Sequence, residues 1–240
     1  MHRLAHHRAP DPRSRRRPLT VTSPEPSILF EDEWIIAINK EAGHLVHAAD
    51  NPQPNDVVAM KLVRNYTGLK IYPTHRLDRP TCGVLLFAKN KTAARALNRA
   101  FERKQIEKTY HAIVWGQPPL EPWVCSESLQ KNPDLPFKDA TTQFRALETL
   151  PENLTLLEAR PLTGRYHQIR KHLLHEGHPI VGDYLYADYQ ACEELRHKLG
   201  IGTRMLLQCR NLTFHHPLSQ ETLTISAPAE KCFSPSQWTK

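Results

Sequence analysis

Glycine is scarce in this chain, with nine in 240 residues. None of them falls in a G-x-G-x-x-G or a G-x-x-x-x-G-K pattern. The loops that cradle dinucleotides and nucleoside triphosphates are therefore missing, and with them the common motif-borne routes to hydride and phosphoryl transfer. Cysteine is scarce as well. Cys82, Cys125, Cys192, Cys209 and Cys232 contain no C-x-x-C pair, and an odd, scattered set argues for reduced thiols and against a disulfide framework or a structural zinc site. Histidine is more plentiful, but His175-Glu176-Gly177-His178 is not H-E-x-x-H, so no metal is expected. No apolar run approaches the roughly 20 residues that span a bilayer. The arginine-rich start has no apolar stretch of the secretory kind. The expectation is a cytoplasmic protein with no membrane partner; an arginine-rich, acid-poor start would also suit an organellar transit peptide.

What is present begins with a sizeable core. The chain is 40% hydrophobic, enough for one domain, or one domain with small additions. Its net charge of +7 is unevenly spread. Residues 1–24 carry Arg3, Arg8, Arg13, Arg15, Arg16 and Arg17 against Asp11, which is +5 and leaves +2 for the remainder. With its prolines and few apolar residues, that tail is expected to be disordered and to act as an electrostatic tether for phosphates. Residues 25–240 are expected to form the folded domain.

Hydrophobic spacing organises the rest. Two short strands are expected over 28–31 and 34–39, around Asp32-Glu33. A helix is expected over 57–66 with Asn55 or Asp56 at its start, and a buried strand over 83–88. Residues 92–103 place Ala94, Leu97 and Phe101 on one helical face and Arg95, Arg99 and Arg103 on the other. Strands then follow over 109–115, 142–150 and 154–160. A helix over 166–176 is closed by Gly177 with Pro179 beyond, and another covers 188–199. Strands over 205–212 and 223–226 finish the chain. The proline-rich segment 117–139, with a short strand near 123–126, reads as an insertion loop of the kind that often touches ligand. Strands with interspersed helices and no regular βαβ alternation predict an α+β fold on a mixed, mostly antiparallel sheet.

One segment carries chemistry of its own. His75-Arg76-Leu77-Asp78-Arg79-Pro80-Thr81-Cys82-Gly83 places a carboxylate between two arginines, just before the buried run Val84-Leu85-Leu86-Phe87-Ala88. Nearby positive charge favours the carboxylate anion, and on a pocket floor such a group can act as nucleophile or base. In extended backbone Arg76 and Asp78 share one side.

Taken whole, that string resembles the signature of the RluA family of pseudouridine synthases, which isomerise uridine within RNA. Lys108-Thr109-Tyr110 is similar to the family's Lys-x-Tyr motif, and Leu162-Thr163-Gly164-Arg165-Tyr166-His167-Gln168-Ile169-Arg170-Lys171-His172 is similar to its third motif. Asn39-Lys40 with Gly43, and Gly177-His178-Pro179-Ile180-Val181-Gly182-Asp183, are smaller echoes. The likeness runs from about Ile28 to Pro228, and the form expected is the family's compact one, without a separate RNA-binding module ahead of the first strand. Cys82 replaces the usual serine and Glu41 the usual proline.

The resemblance implies a pseudouridine-synthase-like domain that needs no cofactor and acts as a monomer on structured ribosomal or transfer RNA. It implies Asp78 as the catalytic carboxylate. Attack on the sugar, attack on the base and removal of a sugar proton all fit that group. It further implies that Arg170 pairs with Asp78 and that Tyr110 stacks on the flipped base and offers a hydroxyl for proton transfer. Arg76 would fill the place the nucleotide vacates, and His75, Arg79 and Arg165 would contact RNA. Two other readings use the same pocket: a catalytically silent RNA-binding protein, and a base glycosylase that releases uracil.

Overall fold

In the computed structural model, residues 25–48, 51 and 53–233 are described. The expected tail, 1–24, lies outside them. One ten-stranded sheet organises the described residues, in the order β1-β2-β4-β9-β5-β8-β7-β6, with β3 added beside β4 and β10 beside β9. The strands are β1 Ile28–Glu31, β2 Ile35–Lys40, β3 Tyr72–Pro73, β4 Cys82–Ala88, β5 Glu107–Trp115, β6 Trp123–Cys125, β7 Thr142–Leu150, β8 Leu154–Pro161, β9 Leu207–His215 and β10 Thr222–Ser226. Every pairing is antiparallel except β4 with β9, which run parallel through Cys82↔Gln208 and Gly83↔Cys209. The α+β class and the mixed, mostly antiparallel sheet are as expected.

Period-two alternation sorts the side chains of β5 and β8 onto two faces. Tyr110, Ala112 and Val114 join Leu157 and Ala159 in the larger core cluster. Ile113, Leu154 and Leu156 fall in a second cluster with Leu195 and Phe233. Three helices feed the larger cluster: α1 Ala59–Thr67, α2 Lys91–Glu102 and α3 Gln168–His175. The second is covered by α4 Tyr189–Leu199 and the short 3-10 turn Lys231–Phe233. β4 is buried along its whole length, as its unbroken apolar run requires.

Local chemistry sets the helix limits. Asn90 accepts from Ala93 N at 2.9 Å to start α2, and Asp188 does the same for Ala191 at 2.8 Å to start α4. α1 begins two residues later than the spacing suggests, because Val58 is occupied in a bridge with Leu45. α3 begins at Gln168, not at 166, because His167 is left-handed, with φ 56°. β9 runs three residues past its expected end, where β10 pairs with it.

Two glycines answer to contacts. At Gly83, φ is +105° and a Cβ would lie 2.1 Å from the Cys209 carbonyl oxygen, so only glycine lets β4 approach β9. Gly182, φ +75°, would press a Cβ to 1.9 Å from the Arg204 carbonyl oxygen. It turns the chain just before Asp183.

Candidate active site

The segment from His75 to Thr81 leads into β4 and alternates as extended chain does. Leu77 is buried, while Arg76 and Asp78 face out into a cleft. A turn follows, closed by Thr81 N donating to Asp78 O at 3.0 Å. Its position is fixed from below by Lys40, whose ammonium is almost wholly buried and donates to the carbonyls of Glu41, His44 and Arg79 at 2.9, 2.8 and 3.1 Å. Burial pulls the Lys40 ammonium down to about 8, against the raising influence of Cys82 and Asp78. Gly43 N also donates to Arg79 O, at 2.8 Å.

The turn throws Arg79 away from the cleft. Its guanidinium pairs with Asp56 at 2.8 Å and bonds Gly43 O at 3.1 Å. Thus the carboxylate flanked by two arginines in sequence is not held between them in space. Arg79 braces the loop, and the guanidinium beside Asp78 comes from Arg170 on α3.

The third motif builds the opposite wall. Gln168 is the pin: Oε1 accepts from Thr163 Oγ1 and Arg165 N, and Nε2 donates to Thr141 O and Thr142 Oγ1, at 2.7–2.9 Å. All its hydrogen-bonding capacity is used on neighbouring backbone and hydroxyls. His172, fully buried, ties α3 to Thr142 and to Glu127 O. Two residues earlier, Arg170 points inward. Its Nε and Nη2 both donate to Asp183, each at 2.7 Å, a bidentate fork. Its Nη1 lies 3.6 Å from Asp78 Oδ2, an ion-pair distance longer than a hydrogen bond. The Tyr186 ring sits 4.8 Å from the guanidinium carbon. Burial works against the Arg170 charge, yet the Asp183 hydrogen bonds and the two carboxylates raise its pKa further. The principal partner of Arg170 is therefore Asp183, and Asp78 is the second.

His167 lies between these groups. Its Nε2 is 3.8 Å from Asp78 Oδ2 and its Nδ1 is 3.0 Å from the Tyr186 hydroxyl. Burial lowers its pKa to about 4, Asp78 opposing. At neutral pH the ring carries no charge, so its contact with Asp78 is not an ion pair; the positive charge next to Asp78 is that of Arg170.

β5 supplies the floor. Tyr110 is buried with its edge on the cleft. Opposite it β9 has a bulge: Thr109 pairs with Asn211 and Tyr110 with Cys209, leaving Arg210 as the extra residue. Bulges re-aim side chains beside active sites. Burial, followed by Cys209 and Asp78, raises the Tyr110 hydroxyl well above its ordinary value, so it remains a proton donor at neutral pH. Lys108, its ammonium depressed by burial, donates to Thr163 O at 3.2 Å and ties β5 to the third motif.

These walls enclose a cleft of about 620 Å3. It gathers Asp78, Tyr110, Arg170, Arg76, Arg165 and His75 of the sequence-derived set; Arg79 is outside it. Besides Arg170, two of the six are partly committed. Arg165 Nε donates to Asp139 O at 2.9 Å. His75 Nε2 accepts from Leu86 N at 3.0 Å and its ring stacks on Phe101 at 5.1 Å; burial lowers it to about 3, so it is neutral. The insertion loop brings Lys131 to the rim. Sequence reasoning gave no role to Asp183, Tyr186 and His167, although Asp183 stood within the Gly182-Asp183 echo. Among the described residues no group of histidines, cysteines and carboxylates could hold a metal ion, and no helix is long and apolar enough to cross a membrane.

This arrangement has counterparts. The family model for RNA pseudouridylate synthase matches residues 34–175. The chain is 38% identical over 224 residues to tRNA pseudouridine synthase C of Pectobacterium carotovorum subsp. carotovorum, covering 83% of this chain and 58% of that one. It is 36% identical to the dual-specificity RNA pseudouridine synthase RluA of Pasteurella multocida, covering 86% and 94%. In fold it is similar to human RNA pseudouridylate synthase domain containing 1, with a TM-score of 0.73 at 24% identity over 89% of this chain and 88% of that one. The chain belongs to the RNA pseudouridylate synthase family.

Proposed function

We propose that Asp78 performs the family's reaction in this chain, the isomerisation of uridine to pseudouridine within structured transfer or ribosomal RNA. One observation carries the reading: a carboxylate on a cleft wall, 3.6 Å from a guanidinium that a second carboxylate holds in a bidentate fork. Tyr110 lies in the same cleft. The reaction breaks the N1–C1′ bond, turns the uracil and rejoins it through C5, with no atom gained or lost. A single anion in a pocket suffices where glycoside hydrolysis needs two carboxyl groups and a water.

Each residue has a part. The Arg170 charge favours the ionised form of Asp78 and orients it. Tyr110 offers the flipped base a ring face and a protonated hydroxyl. Arg76, exposed at the mouth and without a carboxylate partner among the described residues, suits the gap a flipped nucleotide leaves. Lys104, Lys131 and Arg165 surround the opening and supply the phosphate contacts on which RNA affinity depends. The relatives named for transfer RNA and for dual specificity support that substrate class. In this reading the protein works as a monomer in the cytoplasm. Residues 25–240 form the catalytic domain in this reading, and the basic stretch 1–24 adds sequence-independent affinity.

The test is Asp78→Asn, which keeps the shape and removes the anion. RNA from a strain lacking the gene would be mapped to find the unmodified uridine, then supplied for single-turnover tritium release. The variant should bind RNA and form no pseudouridine. A rate near that of the unaltered chain would end the assignment, and free uracil among the products would mark a glycosylase instead.

A further inference from the structure

Tyr166 has no role in the chemistry above, yet it lines the same cleft with 39% of its surface exposed. One face of its ring is covered by His167, with centroids 3.7 Å apart and planes 19° apart. His167 is a rigid support. Its side chain is only 9% exposed, its backbone is left-handed, and its Nδ1 is bonded to the Tyr186 hydroxyl. The Tyr186 ring in turn lies against Arg170. Two cations from separate segments lie over the Tyr166 ring: Lys131 Nζ at 6.0 Å and Lys171 Nζ at 5.7 Å. Lys171 is committed to Gln130 O, which ties the insertion loop to α3. Lys131 has no carboxylate partner among the described residues.

We propose that Tyr166 is a stacking platform for a second base, that of the nucleotide adjoining the one at Asp78, with Lys131 taking a neighbouring phosphate. The inference rests on the reading of the cleft as the RNA site. Two parallel rings already form a ladder whose inner member, His167, is 3.8 Å from Asp78. A base laid on Tyr166 adds a third ring and sits about one nucleotide from the reacting one. Neutral His167 suits this task, since an uncharged ring stacks without solvating water. Recognition of unpaired RNA depends on such splayed, stacked bases. Stacking tolerates any base, with purines favoured by area.

The probe is a short RNA hairpin with one loop uridine and 2-aminopurine as its 5′ or its 3′ neighbour, titrated with the full chain and with Tyr166→Ala, Tyr166→Phe and Tyr166→Trp. A half-exposed side chain can be truncated without loss of the fold, and circular dichroism checks that it was. Stacking should quench the fluorescence at one of the two flanks for the unaltered chain, Phe and Trp, and not for Ala. Binding should weaken by about 5- to 150-fold for Ala and stay near the original for Phe and Trp. The proposal is overturned by equal quenching and affinity in Ala and the unaltered chain, by Phe failing as Ala does, or by no quenching at either flank. Pseudouridine formation by the unaltered chain on its mapped RNA reads the parent assignment separately, and its absence would sink that assignment whatever the fluorescence shows.

Discussion

Replacing Asp183 with alanine strikes the site at its most constrained point. The Asp183 and Arg170 side chains are 1% and 5% exposed, and two 2.7 Å hydrogen bonds join them. Truncation leaves the guanidinium buried beside the Tyr186 ring, with Asp78 at 3.6 Å as the remaining anion. Breaking one side of a buried pair costs about 3–5 kcal/mol. Asp78 can take up part of the orphaned charge, so the lower end, about 3 kcal/mol, is the expectation. At roughly 2–4 °C per kcal/mol for a domain of this size, the thermal midpoint should fall by about 6–12 °C.

Asp78→Asn is the internal comparison. Asp78 touches Arg170 only at ion-pair distance, and both Asp183 bonds survive its loss, so the cost should be under about 1 kcal/mol. The two variants therefore separate stability from chemistry: Asp78→Asn loses activity and keeps its melting point, while Asp183→Ala loses both in part. Thermal unfolding followed by circular dichroism on the full chain reads the difference. Equal midpoints for the two variants would refute the hierarchy in which Asp183 is the first partner of Arg170.

For Tyr110, phenylalanine keeps the ring and removes a hydroxyl that burial holds protonated; single-turnover assays should show normal RNA binding with a stall after base detachment, and full activity would leave the ring with a stacking role alone. Stability should also fall in acid. Burial depresses His75 to about 3 and His167 to about 4, from 6.5, so below pH 6.5 the unfolded chain takes up protons that the folded chain refuses. The stabilisation is whole above pH 6.5 and drains at about 1.4 kcal/mol per pH unit for each histidine, until the folded values are reached. His75→Gln can still accept from Leu86 N and should flatten the decline in urea midpoint between pH 6.5 and 5; an unchanged slope would refute this. Cys82→Ser, which restores the hydroxyl common in the family, should change activity less than about twofold, because a hydroxyl can keep the thiol's contacts to Leu207 O and Glu230, and the loop is held by Lys40.

Much of this was legible in the residues. The unbroken apolar run of β4 and the alternation of β5 and β8 are local patterns, and the elements followed them closely, whereas the cap expected of Asn55 or Asp56 is not made and α1 starts from Val58 with no side-chain cap. The three motifs likewise placed Asp78, Tyr110 and Arg170 in one cleft. Arg79 misled because chain neighbours are not spatial neighbours: after Asp78 the backbone turns, and the next side chain leaves on the other side toward Asp56. The partner of Arg170 was hidden for a different reason. Asp183 reaches it through a turn fixed by Val181 N to Ile113 O, Leu206 N to Val181 O and the close pass of Gly182 by Arg204, contacts that join β5 and the segment ahead of β9. No local spacing encodes them.

A common logic links the groups that sequence reasoning passed over. Lys40 spends three hydrogen bonds on backbone carbonyls around the Asp78 turn, and Gln168 spends four on the frame of the third motif. Lys40 does not line the cleft, and Gln168, though part of its wall, has no hydrogen-bonding capacity left to offer a substrate. Each converts a flexible loop into a fixed wall, so Asp78 and Arg170 meet across the cleft without a hydrogen bond of their own to hold them. A longer, looser contact there has a use. An anion already locked in a short bidentate bond would have to break it before reacting, whereas Asp78, 20% exposed at 3.6 Å, keeps the electrostatic benefit with its oxygens free. The strong fork is placed one step back, between Arg170 and Asp183, where rigidity costs the chemistry nothing.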